Sequence, residues 1–109
     1  METTTDFLLC TLDNDRTAYE KCVAIVRRNM EQEHPNEAEG IWSHAEAVKF
    51  QSADDIKDWV EYAIDDAGAP GPETKGLIVV TLVRRAFEDI DWHKIAEHYI
   101  GKVAEGATV

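Results

Sequence analysis

The chain has 109 residues, 44% of them hydrophobic, with 22 Asp and Glu against 11 Lys and Arg and a formal net charge of −11. That length holds one core and not two, and the apolar content excludes a disordered acidic tail. The charge argues against direct binding to DNA, RNA or anionic membranes, because the basic clusters, Arg27-Arg28 and Arg84-Arg85, are single pairs.

Asp6 to Leu12 places Phe7, Leu8, Leu9 and Leu12 on one side and reads as a short helix, with a strand as the alternative. Asp13-Asn14-Asp15 is a helix start, since Asx side chains accept from free backbone N–H groups. The second helix runs to about Glu33, with Tyr19, Cys22, Val23, Val26 and Met30 facing inward at 3–4 spacing. His34-Pro35-Asn36 ends it, because the residue before proline is pushed out of the α region. A third, weaker helix is expected over Glu37 to Phe50, marked by Ile41, Trp42, Ala45, Val48 and Phe50. Ser52 is expected to open a fourth helix, with acids in its first turn, ending near Gly68. Ala69-Pro70-Gly71-Pro72 is a loop. Leu77 to Val83 suits either a buried strand or a central helix, and the helix is preferred because no second segment alternates convincingly. Asp91 caps a last helix bearing Trp92, Ile95, Ala96, Tyr99 and Ile100. The expected fold is therefore all-α: one compact domain over 1–109 with five or six helices.

No motif names a chemistry. Cys10 and Cys22 lack zinc-finger partners and read as buried apolar thiols. His93 and His98 are five apart, off the i, i+4 spacing, while His93 and Glu97 read as a surface pair. Asp13 and Asp15 read as helix caps, since the calcium-loop glycine and terminal Glu are absent. There is no phosphate-binding Gly loop and no Gly-x-Ser-x-Gly elbow. Trp59 and Trp92 are expected in the core. Trp42 reads as partial core, with an interface anchor as the alternative. Neither an enzyme nor a cofactor or metal is expected. No apolar run approaches the roughly 18 residues of a membrane span, and Met1 to Asp6 has no basic n-region, so a cytoplasmic setting is expected.

The strongest feature is a row of carboxylates. Asp54, Asp58, Glu61 and Asp65 follow at steps of 4, 3 and 4 and share one side of a helix, with Asp55 and Asp66 on its flank. Ile56, Trp59, Val60, Ala63 and Ile64 fall on the opposite, packed side. Like charges at i, i+4 repel, so this row costs the helix a little stability. Such a row suits contact with a basic groove.

Two stretches, Asp13-Asn14-Asp15-Arg16-Thr17-Ala18-Tyr19 and Asp89 to Ile100, resemble the two ends of small proteins encoded by bacteriophages and other mobile elements. The second carries their Asp-Trp-x-x-Ile-Ala pattern as Asp91-Trp92-His93-Lys94-Ile95-Ala96. The resemblance implies a helical fold and a mobile-element setting, and brings no catalytic residues. In size and charge the chain is similar to anti-restriction and anti-CRISPR proteins, which implies a binding protein acting on a host defence complex. The partner expected is a host protein with a basic nucleic-acid-binding groove, met by Asp54, Asp55, Asp58, Glu61, Asp65 and Asp66. The alternative is a homodimeric accessory protein using Leu77–Val83 or the last helix as its seam.

Overall fold

Local capping sets most of the helix starts. The computed structural model describes residues 3–66 and 85–106, without the side chains of Asn36, Ala38, Asp65 and Asp66. The first helix, α1, spans Thr4–Asn14. Thr3 opens it with a reciprocal box: its hydroxyl accepts the Asp6 N–H at 3.1 Å, and the Asp6 carboxylate accepts the Thr3 N–H at 3.2 Å. Asp15, in extended conformation, closes α1 and caps α2 (Arg16–Glu31) by accepting the Ala18 N–H at 2.9 Å. Pro35 begins α3, the short turn Pro35–Ala38, and Gly40 follows it at φ 75°, the left-handed position that glycine adopts freely. Then come α4 (His44–Asp66) and α5 (Trp92–Ala104), the latter capped by the Asp91 carboxylate on the Lys94 N–H at 3.1 Å. Residues 85–89 are helical as well. The described residues are all-α and contain no strand. Leu77–Val83, left open between helix and strand, lies outside them.

Two expected boundaries are corrected. The third and fourth helices are one helix from His44 to Asp66, and Ser52 is fully buried in its middle. The cap sits earlier, at Ser43. Its hydroxyl accepts the Glu46 N–H at 3.2 Å, and the Glu46 carboxylate accepts the Ser43 N–H at 3.3 Å. With the start satisfied there and no Gly or Pro between 44 and 66, nothing interrupts the helix. The second helix ends at Glu31 rather than Glu33.

The core lies where α2, α4 and α5 meet. Cys22, Val23 and Val26 come from α2, Ile56 and Val60 from α4, Ile95 and Tyr99 from α5, and Leu12 from α1. Trp59 and Trp92 are half-buried and pack against this cluster, with Trp92 stacked on Phe87 at 5.5 Å. Trp42, also half-buried, meets Phe50 edge-on at 4.9 Å. Ile95, Ala96 and Tyr99 of the last helix are buried in the chain's own core. α1 runs parallel to α5. Thr5 accepts the Asp91 N–H at 2.9 Å and Asp13 accepts the Tyr99 hydroxyl at 2.7 Å, so eight residues on one helix match eight on the other.

Met30, expected inside, is 38% exposed, and its neighbour Asn29 is buried instead. The Asn29 amide donates to the Ser52 hydroxyl at 3.1 Å and to Asp55 at 3.0 Å, which offsets its burial. Ala63 and Ile64, expected on the packed face, are exposed. Asn29→Ala leaves the Ser52 hydroxyl and one carboxylate lone pair short of a donor. Urea unfolding should show a loss of about 1–3 kcal/mol, with the helical signal of the folded state retained.

Candidate interaction surface on the acidic helix

The acids of α4 divide by what they touch. Asp54, Asp58 and Glu61 are exposed, and none forms an ion pair with the described residues. Asp55 is turned inward. Its Oδ2 accepts from Arg28 at 3.3 Å and from Asn29 at 3.0 Å, and its Oδ1 accepts from Gln51 at 2.9 Å. Asp55 thus joins α4 to α2, with both carboxylate oxygens engaged within the chain. Asp65 and Asp66 belong to α4, and their side chains lie outside the described set. The row is also less purely negative than the carboxylate spacing implied. Lys57, three residues after Asp54 and four before Glu61, borders it on the same helix.

Four of the described Lys and Arg side chains pair with acids outside this row. Arg16 pairs with Glu20 at 3.0 Å, Arg28 with Asp55 at 3.3 Å, Lys49 with Glu97 at 3.5 Å and Lys94 with Asp6 at 3.0 Å. Glu97 therefore binds Lys49 rather than His93, whose ring lies 5.0 Å from that of Phe50. The Thr3 N–H, then Lys94, hold the Asp6 carboxyl below its ordinary value.

An open cleft of about 280 Å³ lies between α4 and the start of α5, lined by Ala53, Asp54, Lys57, Ile90, Asp91, Trp92 and His93. It brings Asp91 to the rim that carries Asp54, and Glu88 and Asp89, both exposed, precede it in the chain. One Asp91 oxygen caps α5. The Trp92 indole N–H is buried without an acceptor among the described residues. The sequence marked Asp91 as a cap but not as a neighbour of Asp54, because that approach depends on how α5 crosses α4. Lys57 was visible at helical spacing.

A second polar cluster joins α1, α2 and α5. Asp13, expected as a cap, instead accepts from the Tyr99 hydroxyl at 2.7 Å and lies 2.9 Å from the His98 Nε2. Burial, reinforced by the neighbouring carboxylate, raises the Tyr99 phenol far above its ordinary range. Burial pushes the Cys22 thiol up to about 12, with the Asp13 charge adding to the effect. Cys10, expected to be buried, is exposed, because Leu8, Leu9 and Leu12 take the packed side of α1. Among the described residues no three His, Cys, Asp or Glu side chains are arranged to hold a metal ion, and no helix is long and apolar enough to cross a membrane.

No protein-family model, curated protein or solved structure matches the chain.

The two thiols should behave differently. At neutral pH a thiol-specific chromogenic disulfide should modify Cys10 within minutes and leave Cys22 intact until denaturant is added. Equal rates in the folded protein would contradict the burial of Cys22.

Proposed function

We propose that the protein is a non-enzymatic binding protein that lays α4 into a basic groove of a partner that handles nucleic acid. The observation behind this reading is the set Asp54, Asp58 and Glu61, exposed on one helix and without an ion pair among the described residues. These three charges span ~10 Å of helix axis. That is sparser than the one charge per ~1.7 Å of a DNA duplex. Asp91 across the cleft adds to the density, and Glu88 and Asp89 lie just before it in the chain. Beside Glu61, Tyr62 is 67% exposed and supplies an aromatic of the kind that anchors interfaces. Charge would speed encounter, and desolvated apolar contact would hold the complex. The resemblance to mobile-element proteins makes a host CRISPR or restriction effector in the cytoplasm the fitting target, inhibited by loss of access to its groove.

The test is a side-by-side pull-down from host lysate with wild type and the Asp58→Lys/Glu61→Lys variant, with equal helicity of the two confirmed first. Wild type should capture a nucleic-acid-binding complex that added duplex DNA displaces, and the variant should capture none in moderate salt. Equal capture by both proteins would overturn the role of this face.

A further inference from the structure

His44 stands at the junction of α2, α3 and α4 with an acceptor at each ring nitrogen. Its Nδ1 lies 3.0 Å from the Glu37 carboxylate and its Nε2 lies 3.0 Å from the Met30 carbonyl. A carboxylate and a carbonyl only accept, and a neutral imidazole has a single N–H. Both contacts can be hydrogen bonds only when the ring carries two protons. We propose that His44 is a pH-sensitive latch, tying the connection through α3 and the start of α4 to the end of α2 while its ring is an imidazolium.

The surroundings favour that state from each packed element. On α2, Met30 is the next-to-last residue, so its carbonyl belongs to the negative end of the helix dipole. On α3, Glu37 accepts from both His44 and the His34 N–H, the latter at 3.3 Å. In the connection, the His34 ring centre is 6.5 Å from that of His44, and its Nε2 lies 3.0 Å from the neighbouring carbonyl of Asn29. A neutral His34 satisfies that one contact as the Nε2–H tautomer, so only His44 requires a second proton. On α4 itself, Glu46 is turned to the Ser43 N–H. The bond to Glu37, then the one to Met30, raise the His44 pKa above its ordinary 6.5, and the same bond holds the Glu37 carboxyl below its ordinary value.

The sign follows from linkage. A base whose affinity for protons is higher in the folded state adds stability that is complete below its ordinary pKa of 6.5 and disappears as pH rises through the raised value. Above that point one of the two contacts is lost, and if Nδ1 gives up its proton a lone pair faces the Glu37 carboxylate. The ring is 47% exposed, so the change is local loosening rather than unfolding.

The full chain is followed by NMR from about pH 5 to pH 8, reading the histidine ring protons and amide exchange over residues 32–43. His44 should titrate above 6.5. Amide exchange, corrected for its intrinsic pH dependence, should rise about two- to fivefold through the same transition. Glu37→Gln keeps an acceptor and removes the charge, and should return the His44 titration toward 6.5. The latch is overturned if wild-type His44 titrates at or below its ordinary value. It is also overturned if exchange over 32–43 ignores the transition, or if Glu37→Gln leaves the titration where it was.

Discussion

The buried amide of Asn29 is the contact on which the rest of the arrangement depends. It reaches from the last turn of α2 to Ser52 and Asp55 on α4, and a polar group so enclosed must find partners or cost the fold dearly. Satisfying it sets how α4 is rotated about its own axis. With Ser52 and Asp55 turned to α2, Ile56 and Val60 follow into the core, and Asp54, Asp58 and Glu61 are left facing out. An interior hydrogen bond between two neutral side chains thus decides which acids are presented on the surface. One carboxylate of the acidic helix serves as part of the fastening.

The surface ion pairs act in the same direction. Exposed pairs contribute little to stability, but they decide where charge is left uncompensated. Arg16, Arg28, Lys49 and Lys94 are matched to Glu20, Asp55, Glu97 and Asp6. The exposed row on α4 is left with Lys57 at its border as the nearest cation in sequence. A chain with twice as many acids as bases carries excess negative charge wherever its helices fall, and among the described residues these pairs leave Asp54, Asp58 and Glu61 without a partner.

How much of this was legible in the sequence depended on the range of the interaction. Asp15 and Asp91 act on residues three positions away and could be recognised as caps. The all-α architecture followed from periodicities of the same range. Ser43-His44-Ala45-Glu46 has the spacing of a capping box, yet Ser52-Ala53-Asp54-Asp55 offers a similar local signal, and nothing nearby distinguishes them. What separates them is Asn29, 23 residues before Ser52 in the chain, which needs that hydroxyl inside. The exchange of Met30 for Asn29 at the buried position has the same origin. Asp54, Asp58 and Glu61 were readable as an outward row from spacing alone. Asp55 was not separable from them, since its partners Arg28 and Asn29 lie on another helix. The doubly engaged His44 likewise joins groups up to 14 residues apart, and no local pattern announces it.

Asp15 carries a consequence for how the chain tolerates change in length. It is the one residue between two helices, ending the first and starting the second, so the joint has no slack. A residue gained or lost there would turn α1 by about 100° relative to α2. The matched eight-residue spacing of Thr5 and Asp13 against Asp91 and Tyr99 would then be out of phase along its whole length. The connection around Glu39 and Gly40 is exposed and joins helices through a short turn. It can absorb an insertion by bulging outward. Lineages of this protein should therefore drift in length at the second joint and hold it constant at the first.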